Sequence, residues 1–242
     1  MANPILNENR FNEQERILEG QPMTINGTIQ ITAFLGLLLI CAATLVWSKM
    51  TAGYTDIAMM LTGGGVIVGF ILALIISFTK NKFLIPVYAA CEGCALGGIS
   101  AIFETQFPGI VIQAVAGTFA ALFAMLALYK MNLIRATDKF RSVIFIATAS
   151  IAVVYLVDIL ARLIFHSYVP LINSASPAGI LVSLIVVVVA ALNLIMDFDF
   201  IEKGEQMMLP KDYEWYGAFG LMLTLVWLYM EILRLLAKIN RR

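Results

Sequence analysis

Pro177-Ala-Gly-Ile-Leu-Val-Ser-Leu-Ile-Val-Val-Val-Val-Ala-Ala-Leu-Asn-Leu-Ile-Met196 runs its whole length without a charged side chain. Crossing ~30 Å of hydrocarbon takes roughly 20 apolar residues as a helix, so this stretch alone is long enough to span a bilayer. Working outward, six further runs meet that length, at roughly Ile31–Trp47, Ile57–Phe78, Leu84–Phe103, Ile110–Tyr129, Ser142–Phe165 and Trp215–Leu236. Between them lie polar or helix-breaking punctuation marks such as Lys80-Asn81-Lys82, Phe107-Pro108-Gly109 and the segment Arg135 to Arg141. No run alternates with a two-residue period, so a β-barrel is not supported. The expected fold class is all-α, a multi-pass membrane bundle of about seven transmembrane helices. Residues 1–28 read as a polar N-terminal arm and 29–242 as the bundle.

The composition of the 242-residue chain agrees. Its residues are 61% apolar and 13% charged, whereas a soluble domain carries about 25% charge. Sixteen basic residues balance 16 acidic ones, which points away from nucleic acid as a partner and leaves the lipid bilayer as the expected one. Cys41, Cys91 and Cys94 all fall inside apolar runs, where an odd number argues against a disulfide framework. The first 30 residues hold no apolar core like that of a signal peptide, so the first span is expected to act as an uncleaved anchor.

Lysine and arginine placement sets an expected orientation. With the N-terminus inside, the cytoplasmic segments hold Arg10, Arg16, Lys80, Lys82, Lys130, Arg135, Lys139, Arg141, Lys203 and Lys211. The opposite side holds Lys49, Arg234, Lys238, Arg241 and Arg242. The bias favours N-terminus in and C-terminus out.

Ionisable groups at lipid depth cost about 2.5–3.5 kcal/mol each on insertion scales, and so mark pairs or functional sites. Asp158 and Arg162 are spaced to share one helix face, as are Glu231 and Arg234. Both pairs lie ~25 Å along helices that run the same way, which predicts one buried ion-pair network of Asp158, Arg162, Glu231 and Arg234. Whether it is structural or a proton-sensitive latch reaching His166 stays open. Glu92 stands in Cys91-Glu92-Gly93-Cys94 with no basic neighbour in sequence, so it is neutral there unless it meets water or a cation. The Cys-x-x-Cys spacing reads more readily as small packing residues than as a metal site. Asp197 and Asp199 read as the close of the sixth span, Asp199 as a solvated helix end and Asp197 as inward-facing beside Asn193. Gly65-x-x-x-Gly69 and Gly93-x-x-x-Gly97 read as close helix contacts.

The segments Asp197-Phe-Asp-Phe-Ile-Glu-Lys-Gly204 and Asp212-Tyr-Glu-Trp215 resemble the Bax inhibitor-1 family. So do the small-residue-rich third span, Tyr88-Ala-Ala-Cys-Glu-Gly-Cys-Ala-Leu-Gly97, and an arm with Asn3-Pro-Ile-Leu-Asn7 and Met23-Thr-Ile-Asn-Gly27, which is similar to a divergent bacterial branch. The resemblance implies a seven-helix fold with the last helix central and wrapped by the other six. It also implies a pH-sensitive calcium leak governed by two aspartates on the sixth and seventh helices that share a proton. Asp197 matches the first. The place of the second falls near Thr224, which coordinates weakly and does not titrate. Glu92 and Glu214 are the acids placed to stand in for it.

Two functions therefore compete. One is a passive cation path, with calcium as permeant ion and no cofactor, lined by Asp197 and Glu214 at its mouth and Glu92 midway. The other is a membrane-embedded regulator that binds another membrane protein, such as a protease or stress factor. An intramembrane enzyme is not expected, since no His-Glu-x-x-His or Gly-x-Asp signature is present. The expected location is the cell membrane, as a bacterial inner-membrane protein.

Overall fold

A computed structural model describes residues 21–165 and 174–241, apart from the side chain of Phe165. His166, Arg242 and the arm's residues 1–20 lie outside the described residues. Seven helices long and apolar enough to cross a membrane follow one another: α1 (Ile25–Thr51), α2 (Thr55–Thr79), α3 (Leu84–Gln106), α4 (Ile110–Lys130), α5 (Asp138–Phe165), α6 (Pro177–Gln206) and α7 (Tyr213–Asn240). In hydrocarbon every backbone N–H and C=O must be satisfied within its own segment, which is why each apolar run closes into a helix. The chain is a multi-pass helical membrane bundle.

Helix starts carry their own signals. The Thr24 hydroxyl accepts from the Gly27 N–H at 2.9 Å to cap α1, and Ser176 caps α6 ahead of Pro177. The turn into α4 needs Gly109 at φ 83°, and the Glu104 carboxylate accepts from the Gly109 and Val111 N–H groups at 2.6 and 3.1 Å. Two boundaries move from the sequence reading. Residues 25–28 belong to α1 instead of the arm. The sixth helix also continues to Gln206, so Asp197 and Asp199 lie within it and not at its close.

Helix α7 is the centre. Helices α1, α3, α4 and α6 pack directly on it, while α2 lies behind α1 and α3, and α5 behind α6. Four helices thus approach α7 closely along the backbone, while α2 and α5 reach it through longer side chains such as Ile76 and Tyr155. The core on one side joins Leu194 and Ile195 of α6 with Leu228 and Leu233 of α7. On the other side Leu35, Ile85 and Tyr88 meet Phe219 and Met222, with the Tyr88 and Phe219 rings edge to face at 5.1 Å.

Both glycine pairs do what their spacing predicts. An ideal Cβ on Gly93 would lie 2.3 Å from the Leu39 carbonyl oxygen, and one on Gly97 2.3 Å from that of Ala43, so α1 and α3 touch backbone to backbone. Gly65 similarly meets the Cys91 carbonyl oxygen.

The N-termini of α1 and α7 lie together, because Thr24 bonds Glu214 through its backbone N–H and its hydroxyl at 3.0 and 2.9 Å. The two helices therefore start on one side of the bundle, as seven successive crossings require.

Candidate functional site between α6 and α7

A polar stripe runs along α7. Thr224, Glu231 and Lys238 recur every seven residues, hence on one helix face, and all three are buried. Each answers a partner on a neighbouring helix.

At the first level Asp197 of α6 faces α7. The Thr224 side chain neighbours its carboxyl, and an ideal Cβ on Gly220 would stand 3.5 Å from Asp197 Oδ1. Asp197 Oδ2 is buried and has no hydrogen-bond partner among the described residues. Asp197 lies nine residues before the end of α6 and Thr224 eleven after the start of α7, which puts both ~14–16 Å from that side. Asn193, one turn earlier, turns to α5 instead, donating to Thr148 Oγ1 at 2.9 Å.

At the second level Glu231, 2% exposed, gathers three donors. They are the Tyr155 hydroxyl of α5 at 2.8 Å, the Trp227 ring N–H at 3.2 Å and the Arg234 guanidinium at 3.1 Å. The Arg234 guanidinium also lies 5.0 Å from the Tyr155 ring centroid. Arg162 pairs with Asp158 at 2.9 Å. The predicted local pairs are both present, and Tyr155 ties α5 to the Glu231–Arg234 pair.

At the third level the Lys238 ammonium donates to the Gly179 carbonyl oxygen at 3.1 Å and to Ser183 Oγ at 2.6 Å. A lysine counted among the charges of the C-terminal end is in fact buried against the start of α6.

The remaining predicted acids stand elsewhere. Glu92 lies over α2, its Oε2 3.0 Å from the position of a Gly69 Cβ, and α3 and α6 do not pack together. Glu92 and Asp197 are thus on different helix pairs, and the expected series from one to the other is not brought together. Glu214, 3% exposed, sits where a Gly27 side chain would be and is spent on the α1 N-terminus, where a helix end favours negative charge. Asp199 is not a solvated end. It is 8% exposed and paired with Arg141 of α5 and, at 3.0 Å, with Lys203.

Sequence reasoning missed Tyr155, Lys238 and the Asp199–Arg141 pair. The heptad spacing of Thr224, Glu231 and Lys238 was a usable signal for the lysine. Nothing local pointed to Tyr155, whose role depends on a partner 76 residues away.

A helical membrane bundle whose central helix carries a buried polar stripe, facing an aspartate oxygen with no hydrogen-bond partner among the described residues, is the class that fold and site define. Within that class, the family described as Bax inhibitor 1 like matches residues 3–241, and the chain belongs to it. No match is found among the curated proteins.

Proposed function

We propose that the protein is a passive, pH-responsive calcium leak whose control point is Asp197 against Thr224. The observation that supports this reading is the buried Asp197 Oδ2 without a partner. An unsatisfied polar oxygen at lipid depth costs several kcal/mol, a cost that is hard to place in a purely structural role. A carboxylate with a neighbouring hydroxyl is the oxygen-donor chemistry that calcium takes. The path follows the α6–α7 seam, and in the present arrangement Lys238 and the Glu231–Arg234 pair close its far end, because a cation moving along the seam meets fixed positive charge. No bond-making chemistry is assigned to the chain. The reading assigns it to the bacterial inner membrane, supported by the resemblance to a divergent bacterial branch.

Ionised Asp197 holds the ion, and protonation removes that charge. Flux therefore falls as pH falls, and the response belongs to one carboxyl because Thr224 does not titrate. The experiment is calcium entry into vesicles containing the purified protein, read by an enclosed dye across pH, with Asp197→Asn and Glu92→Gln beside the parent. The expected result is flux that loses its pH dependence in Asp197→Asn and keeps it in Glu92→Gln. Flux equal to empty vesicles at every pH overturns the leak and favours the membrane-embedded regulator.

A further inference from the structure

Helices α1 and α4 both pack on α7 but not on each other. The gap between them, floored by α6, is a cleft of about 1050 Å³. Its walls at hydrocarbon depth are apolar, with Ile29 and Ala33 of α1 facing Phe119, Leu122, Phe123 and Leu126 of α4. Phe119 and Phe123 are stacked, 6.3 Å between centroids, and both stay largely exposed on this wall. The rim is different in kind. It is formed by the end of α4, the following turn and the last turns of α6, with Lys130, Arg135, Asp199, Glu202 and Lys203.

The charges on that rim do not cancel. Asp199 is paired twice, with Arg141 and Lys203, and Glu202 accepts the Tyr129 hydroxyl, so Lys130, Arg135, Arg141 and Lys203 exceed the two acids by two positive charges. Lys130 and Arg135 have no ion-pair partner among the described residues, and both are exposed. An apolar slot at chain depth, topped by two uncompensated cations at the level of the α4–α5 turn, has the shape and charge order of one phospholipid. We propose that this cleft binds a phospholipid with an anionic headgroup, an acyl chain lying along Phe119 and Phe123 and the phosphate on Lys130 and Arg135. A zwitterionic lipid fills the slot equally well but sets its own headgroup ammonium beside the two rim cations. The selectivity therefore lives on the rim and not in the slot.

A basic residue near an anionic lipid surface contributes about 1 kcal/mol, so two contribute a preference of about thirtyfold. The experiment is native mass spectrometry of the full chain released from detergent containing equal phosphatidylglycerol and phosphatidylcholine. The parent is expected to retain phosphatidylglycerol in roughly that excess. Lys130→Gln with Arg135→Gln is expected to bring the two lipids close to parity, with unchanged helicity as the check on folding. Lys49→Gln, a lysine at the far end of α1, is expected to leave the preference intact. A second variant, Phe123→Trp, reports occupancy directly through quenching by brominated phosphatidylglycerol beyond that seen in the parent. Equal retention of both lipids by the parent, or a preference that survives loss of both rim cations, overturns the assignment. Quenching of Phe123→Trp no greater than in the parent overturns it as well.

Discussion

Adding one methyl group at Gly97 should separate the two helices that carry the front of the bundle. The ideal Cβ at this position would lie 2.3 Å from the Ala43 carbonyl oxygen and 2.8 Å from the Ala43 Cα. A carbon and a carbonyl oxygen settle at about 3.3–3.6 Å, so α1 and α3 would have to part by roughly 1 Å. Both obstructing atoms are backbone, so no rotamer change relieves the overlap. Overpacking of this kind costs about 1–3 kcal/mol. Gly36, on the same α1, supplies the reference, since nothing lies within 4 Å of its ideal Cβ. There the substitution to alanine meets open lipid and gains about 0.8–1 kcal/mol of helix propensity. Gly97→Ala gains the same propensity, so the two variants should differ by the overpacking cost alone, about 1–3 kcal/mol, with Gly97→Ala the less stable and Gly36→Ala at or above the parent. Unfolding from mild detergent by titration with a denaturing one, followed by helical circular dichroism, reads that difference. Equal midpoints for the two would refute the backbone-to-backbone seam.

Other expectations follow from the polar stripe and the helix order. Tyr155→Phe combined with Glu231→Gln should show a coupling of about 0.6–1.7 kcal/mol in a double-mutant cycle, the range for hydrogen bonds between membrane helices. Strictly additive losses would mean that α5 is held by something else. Thr224→Asp sets a second carboxyl across from Asp197, and the two then titrate as a pair in two separated steps, so calcium flux should fall over a wider pH range than in the parent. An unchanged slope, measured in the same vesicles, would detach Thr224 from the control point. A reporter fused after the last residue should read on the membrane face opposite to the α2–α3 and α4–α5 turns. A reading on the same face would contradict seven full crossings.

Much of the architecture was legible because lipid imposes a rule that acts residue by residue. A run such as Pro177–Met196 has no choice in hydrocarbon except a helix, and its length decides that it crosses. The glycine pairs on α2 and α3 were readable for a similar reason, since a missing side chain at regular spacing is itself the contact surface. Asp197 and Thr224 were identified through resemblance, and the facing of α6 on α7 brings them together. Glu92 and Glu214 were indistinguishable from Asp197 in sequence, each an acid in or beside an apolar run. Their different fates depend on which helix lies opposite.

The sequence by itself determined the number of crossings, the class of fold, the local pairs Asp158–Arg162 and Glu231–Arg234, and the family, because each depends on spacing along one chain. Only the tertiary structure decided that α2 and α5 reach α7 through side chains and not by close backbone packing, and that Glu214 is consumed by the α1 N-terminus. It also decided that Lys238 is buried against Gly179, and that Asp197 keeps one oxygen without a partner among the described residues. Hydropathy constrains whether a helix enters the membrane and leaves its rotation and neighbours undetermined. Those are set by close packing between elements far apart in the chain, which no window of sequence contains.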